Sequence, residues 1–281
     1  MYCTFYGLKE EPFNITPDPS YLYFSKNHQE AFFNLLYGIR SRKGFMEVTG
    51  SIGAGKTTLY RALLDRLGNE IKSALIINPS LSAIQLLQTI IEDFEIEVRR
   101  KNRKGYFDAL NSFLMDLSHR GSTAVLILDE AQDLKVGTLE QIRLLSNFET
   151  NKRKLLQIIL VGQPELRNLL AKPSLLQLRQ RITVSTHLSA LNREETEQYI
   201  AHRIRVAGGG GMLIFDSAAV DGIFQYSQGI PRLINILCDK ALLMSYMNRT
   251  GQGVRDFVEG TVHSPGAQAT PPGEPAAEPP G

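Results

Sequence analysis

The chain has 281 residues, 43% hydrophobic and 21% charged, with a formal net charge of +2, a balance ordinary for a soluble globular protein. Its two cysteines, Cys3 and Cys238, stand in no metal-ligand spacing, which excludes a disulfide scaffold and a structural zinc site. No apolar run is long enough to cross a bilayer, and Met1-Tyr2-Cys3-Thr4-Phe5 lacks the basic and apolar blocks of a signal peptide. The expected location is a reducing cytoplasm.

Taken in chain order, strand patterns fall at 45–49, 74–78, 124–128 and 157–161, with a fifth at 182–186. Helical patterns at 82–94, 106–119 and 137–148 lie between them, and this alternation predicts a parallel five-stranded sheet covered by helices on both faces. The first strand runs into Gly50-Ser51-Ile52-Gly53-Ala54-Gly55-Lys56-Thr57, which matches the phosphate-loop pattern G-x-x-x-x-G-K-[ST] at every position. Leu59, Leu63, Leu67 and Ile71 then recur every four residues, the buried stripe of an amphipathic helix. A strand, a glycine loop and a helix N-terminus make an anion site, because consecutive backbone N–H groups converge on phosphate oxygens. Gly50, Ser51, Gly53, Ala54, Gly55, Lys56, Thr57 and Thr58 are the expected nucleotide-binding residues. Lys56 is expected to reach the β- and γ-phosphates, and the Thr57 hydroxyl to ligate Mg²⁺.

One basic run, Arg99-Arg100-Lys101-Asn102-Arg103-Lys104, reads first as a solvated loop and second as a contact for nucleic acid or anionic lipid. The apolar strand at 124–128 closes with Asp129-Glu130. At the carboxyl end of a parallel strand, Asp129 is expected in the Mg²⁺ shell, and Glu130 is free to polarise an attacking water. Ile158-Ile159-Leu160-Val161-Gly162-Gln163 ends another buried strand in an amide that can report on the γ-phosphate. Arg179 and Arg181 precede the last strand, and guanidinium groups offset transition-state charge in phosphoryl transfer, often across a subunit boundary. The residues themselves do not choose between the two.

Beyond about 190 strand patterns stop. Asn192 with Glu195 forms a capping box for a helix to about Val206, and Gly208-Gly209-Gly210-Gly211 breaks it. Asp216 caps a second helix ending near Gly229; Pro231 opens a third reaching about Asn248 and sets Arg232 on its first turn. This reads as a small helical lid over 191–258 on an α/β core of residues 1–190. From 259 to 281 the chain is Pro-Gly-Ala-rich and acidic, with no aromatic residue, and reads as a disordered tail.

The ordered set of these motifs resembles the secretion ATPases of the general secretion pathway protein A family, in the AAA+ superfamily. The matching stretches are Tyr6-Gly7-Leu8, Pro12-Phe13, Pro17-Asp18-Pro19 through Tyr23, Asp129-Glu130-Ala131-Gln132, 144–149, 156–166, 178–182 and Gly229-Ile230-Pro231-Arg232-Leu233-Ile234-Asn235. The resemblance implies ATP as substrate, a sensor-one role for Gln163, arginine-finger candidates at Arg179 and Arg181, and a sensor-two role for Arg232. It also implies that the segment around Pro12, Phe13 and Tyr23 packs near the adenine, where the residues alone read as core aromatics. The implied partners are further copies of the chain and an envelope secretion or type IV pilus assembly at the inner membrane, where the chain would be peripheral. Larger family members continue into a membrane span and a periplasmic peptidoglycan-binding domain, and against them this sequence reads either as a stand-alone ATPase, similar to those encoded with type IV pilus or exosortase systems, or as a truncated ATPase domain. A DNA-associated helper ATPase of the transposition-regulator type is the second reading, and a nucleotide-gated adaptor with slow hydrolysis the third.

Overall fold

The computed structural model describes residues 2–77, 81–150, 153–209 and 215–248. The tail expected over 259–281, the lid's expected end at 258, and Gly210 and Gly211 lie outside the described residues. Strands β1 (Phe45–Gly50), β2 (Ile71–Ile76), β3 (Thr123–Leu128), β4 (Leu156–Gly162) and β5 (Ile182–Leu188) pair in the order β2-β3-β4-β1-β5. Every pairing is parallel. The helices, in chain order, are α1 (Tyr2–Phe5), α2 (Lys26–Arg40), α3 (Lys56–Leu67), α4 (Ala83–Asp93) and α5 (Arg103–His119). They continue with α6 (Val136–Leu145), α7 (Glu165–Leu170), α8 (Leu176–Arg179), α9 (Arg193–Val206), α10 (Ser217–Ser227) and α11 (Pro231–Asn248).

The three inner strands β1, β3 and β4 are buried along their whole length, as a parallel sheet covered on both faces requires. Alternation sorts their side chains between two cores. Leu126 and Leu160 join Leu86, Ile90, Leu110 and Leu178 on one face, while Val125 and Val161 join Leu35, Leu59 and Leu63 on the other. The sheet therefore aligns the carboxyl ends of β3, β4 and β1 side by side, so the residues that follow them share one edge.

Two expectations shift at an edge strand. β2 begins at Ile71 rather than 74, because Lys72 and Ser73 are solvent-exposed there and carry no apolar pattern. Ile71 therefore belongs to β2 and not to the helical stripe, which ends at Leu67 where Gly68 turns the chain at φ 48°. The caps are as expected: Asn192 and Glu195 form the box of α9, Asp216 accepts from the Ala219 N–H, and Pro231 starts α11.

A third buried cluster joins the two ends of the described chain. Tyr2, Tyr6, Leu8, Phe13 and Tyr21 pack among Tyr199, Ile204, Phe215, Ile223, Leu237 and Leu242 of the helical region. The N-terminal segment thus shares its core with α9–α11 rather than with the sheet. Phe13 meets Phe215 edge-on at 6.0 Å between ring centroids, and the Lys9 N–H donates to the Ala207 carbonyl at 2.8 Å.

Candidate nucleotide site

The loop between β1 and α3 depends on glycine where the backbone leaves the ordinary regions. Gly53 has φ 79°, and a Cβ there would lie 2.5 Å from the Cβ of Arg232, so glycine serves both the turn and the approach of α11. Gly55 caps α3 in the left-handed region at φ 94°. Lys56 is only 7% exposed, and its ammonium donates to the carbonyls of Gly50 at 2.7 Å and Ser51 at 3.1 Å. Burial lowers its pKa, and the nearby carboxylates of Glu130 and Asp129 oppose that shift. An arriving polyphosphate offers the same ammonium stronger, charged acceptors.

The loop is braced from behind by His28. Its Nε2 donates to the Ala54 carbonyl at 3.1 Å, which fixes the neutral tautomer, and Nδ1 accepts from the Ser25 hydroxyl at 2.8 Å. Burial holds its pKa below the ordinary value.

Asp129 follows β3 and is almost fully buried. Its Oδ2 accepts from the Tyr60 hydroxyl at 3.0 Å and the Thr57 hydroxyl at 3.5 Å, while Oδ1 accepts from the Glu130 N–H at 2.9 Å. Burial first, and Asp129 second, raise the Tyr60 pKa, so the phenol remains a donor throughout the working range. The Thr57 hydroxyl and the Asp129 carboxylate are hard oxygen donors of the kind Mg²⁺ takes when substrate phosphates and water complete its shell. Among the described residues no three His, Cys, Asp or Glu side chains cluster as metal ligands.

Glu130 adopts φ 49°, a left-handed backbone that a non-glycine residue rarely keeps without a reason at a working site. Its Oε2 accepts from Gln132 Nε2 at 2.8 Å and from Gln163 Nε2 at 3.4 Å. Gln132 Oε1 in turn accepts from the Gln163 N–H at 3.0 Å. Room for that amide comes from Gly162, where a Cβ would stand 2.7 Å from Gln132 Oε1. Two amides therefore hold one carboxylate at the junction of β3 and β4.

A cleft of about 300 Å³ runs from this phosphate end toward the lid. Gly53, Gly55, Lys56, Thr57, Thr58, Glu130 and Arg232 line one end, and Ile15, Pro17, Leu22, Tyr23, Tyr199 and Asn235 the other. Gly50, Ser51 and Ala54 belong to the loop without lining the cleft, their carbonyls taking the bonds already described, and Gln163 touches the site through Glu130. Arg232 is exposed on the first turn of α11, and its N–H donates to the Gly53 carbonyl at 3.3 Å. Pro12 and Phe13 are buried beside the cleft rather than lining it.

Neither Arg179 nor Arg181 lines this cleft. Arg181 is tied down within the chain: its Nη1 donates to the Arg143 carbonyl at 3.3 Å, to Asn147 Oδ1 at 2.8 Å and to the Ser146 hydroxyl. The Arg179 side chain, by contrast, is exposed and forms no hydrogen bond or ion pair among the described residues.

His28, Tyr60, Gln132 and Arg203, the last of which lines the cleft, are further candidate site residues that the sequence does not single out. Gln132 stood in a quoted stretch, and Tyr60 lies one turn after Thr57, disguised by the apolar stripe. His28 and Arg203 reach the site only through tertiary packing and had no signal.

The sheet order, phosphate loop and lid define a P-loop nucleotide-binding protein of the AAA type. The AAA domain family matches residues 39–170. General secretion pathway protein A of Aeromonas hydrophila is 42% identical over 263 residues, 93% of this chain and 47% of that protein. The chain thus spans about half the length of that relative. Among solved structures, the Aeropyrum pernix ORC2 protein in ADPNP-ADP complexes superposes with a TM-score of 0.68 at 18% identity, over 89% of this chain and 71% of that one. Cdc6p from Pyrobaculum aerophilum gives 0.65 at 16% identity, over 89% and 70%. The Thermotoga maritima RuvB Holliday junction branch migration motor gives 0.57 at 18%, over 84% and 68%. At such identities these three likenesses speak for the fold alone. The chain carries an AAA domain over residues 39–170 and is related over 93% of its own length to general secretion pathway protein A.

Proposed function

We propose that the chain hydrolyses ATP with Mg²⁺ and that the cycle drives or switches assembly of a cell-envelope secretion or pilus-type system from the cytoplasmic side. The observation that carries the catalytic reading is the Glu130 carboxylate, held by Gln132 and Gln163 beside a phosphate loop and a buried Asp129. In this reading Lys56 exchanges its loop carbonyls for β- and γ-phosphate oxygens. Glu130 takes the proton of a water whose oxygen bonds to the γ-phosphorus as the bond to the bridging oxygen breaks. Thr57 and Asp129 are the residues that would hold Mg²⁺, which supplies charge neutralisation at the phosphates when bound.

Gln163, bonded to the same carboxylate, couples the γ-phosphate to Glu130, and Arg232 carries that state into the lid. Arg179 is the better arginine-finger candidate for a neighbouring subunit's site, because Arg181 is already consumed within its own chain. The envelope role, the homo-oligomer and the cytoplasmic location rest on the relation to general secretion pathway protein A. None of the described helices is long and apolar enough to cross a membrane.

The test is Glu130→Gln, expected to keep ATP binding while turnover falls by about 10²–10⁴-fold. Undiminished phosphate release in that variant would remove Glu130 from its role. A pull-down from cells with the same ATP-trapped variant then tests the assembly: recovery of secretion or pilus components supports it, and recovery of DNA with a recombination partner overturns it.

A further inference from the structure

Arg203, on α9, is only 6% exposed and forms no ion pair among the described residues. A buried guanidinium without a carboxylate is costly unless its donors are met. Here each of its three nitrogens finds an acceptor, in the N-terminal segment and the lid together. Nε donates to the Pro12 carbonyl, Nη2 to the Asn14 carbonyl at 3.0 Å, and Nη1 to the Tyr199 hydroxyl at 3.1 Å. Its Cζ lies over the Tyr21 ring at 4.5 Å from the centroid. The Tyr199 hydroxyl passes the chain on, donating to Asn235 Oδ1 at 2.8 Å. Asn14, Tyr21, Tyr199, Arg203 and Asn235 all line the same cleft as Lys56, and none of their side chains hydrogen-bonds to the phosphate loop.

We propose that Arg203 is the positioning residue of the nucleobase wall. Its rigid fork fastens the 12–14 backbone to α9, and with Tyr199 and Asn235 it sets the distance between the two sides that enclose the base. This deepens the ATP reading of the preceding subsection and rests on it. The guanidinium holds two carbonyls and a hydroxyl while stacking on a ring. A lysine ammonium has neither the fork nor the plane to do so. The phosphate end of the cleft shares none of these contacts, so the effect of Arg203 is confined to ligands that carry a base.

The test compares two ligands on the full chain: ATP, and inorganic tripolyphosphate, which has the phosphates without the base. In Arg203→Met and Arg203→Lys, ATP affinity is expected to fall about tenfold or more, the weight of a lost hydrogen-bonded charge, while tripolyphosphate affinity stays within about twofold. Equal loss for both ligands assigns Arg203 to general fold stability and overturns the proposal, as does no loss for either. If those variants fail to fold, Tyr199→Phe carries the same comparison: it removes the hydroxyl that joins Arg203 to Asn235 and should weaken ATP alone, by a smaller factor. An unchanged ATP affinity in Tyr199→Phe then overturns the proposal. If the unaltered chain binds tripolyphosphate but gains nothing from the base, the ATP reading fails instead.

Discussion

The two ends of the cleft are built on different principles. The phosphate end is made of consecutive residues: one loop, the helix that follows it, and the carboxylates directly after a neighbouring strand. The base end is assembled from segments nearly two hundred positions apart, with Arg203 reaching Pro12 and Asn14. In the proposed reading the first would recognise charge through backbone N–H groups and hard oxygens, and the second would enclose a flat ring by holding two walls at a fixed spacing. Damage to the phosphate end should therefore appear in rate, and damage to the base end in affinity.

The largest expected effect tests whether the phosphate end is complete within one subunit. Arg179→Ala should lower the turnover of assembled protein by about 10³-fold or more. Mixing it with Glu130→Gln should restore part of the activity, since each variant supplies what the other lacks. Wild-type turnover in Arg179→Ala would make the site self-sufficient. Arg181→Ala should instead cost about 1–3 kcal/mol of stability, read from denaturant midpoints, through the three acceptors it leaves.

Tyr60→Phe removes one hydroxyl from Asp129 and keeps the ring in the core. By analogy with outer-shell partners of metal ligands, apparent Mg²⁺ affinity should weaken about 10-fold or more at unchanged ATP affinity. A metal titration of turnover checks this, and an unmoved midpoint would detach Tyr60 from the cation. Gly53→Ala sits where the two ends meet. Forcing a side chain into φ 79° and against the Arg232 Cβ should cost about 1–3 kcal/mol and loosen the lid, which the thermal midpoint with and without ATP would report.

The smallest effect concerns pH. Burial depresses the His28 pKa, and burial likewise lowers those of His187 and His202. The unfolded chain therefore takes up protons first, near the ordinary histidine value of about 6.5. Stability is full above that value and declines as pH falls through it toward the lower folded-state pKa values. His28→Gln should flatten part of this decline between about pH 6.5 and 5 in urea melts. An identical slope would show that the brace on Ala54 is not proton-linked.

How much the sequence revealed follows the same division. Lys56, Thr57, Asp129, Glu130 and Gln163 were legible because their geometry is set by neighbours along the chain: a glycine loop needs its glycines, and a strand end delivers the next side chain. The helix caps at Asn192 and Asp216 were legible for the same reason. Arg203 carries no local signal, because its carbonyl acceptors on Pro12 and Asn14 lie 191 and 189 positions away, and Phe13 reads by itself as a core aromatic. The start of β2 was missed because an exposed edge releases its residues from the apolar pattern.

The joint core of the two chain ends also bears on the order of assembly. Tyr2 donates to Asp239, a separation of 237 positions, so synthesis delivers the aromatic N-terminal residues long before the helices that cover them. Such contacts close late and slowly. We predict that the sheet packs while Tyr2, Tyr6 and Phe13 still await their partners, so that the last cooperative step of folding falls where the N-terminal segment meets α9–α11. A chain stopped at residue 190 should then be cut by protease first within its opening twenty or so residues, whereas the longer chain resists. Nucleotide binding would act on the part of the molecule that finishes folding last.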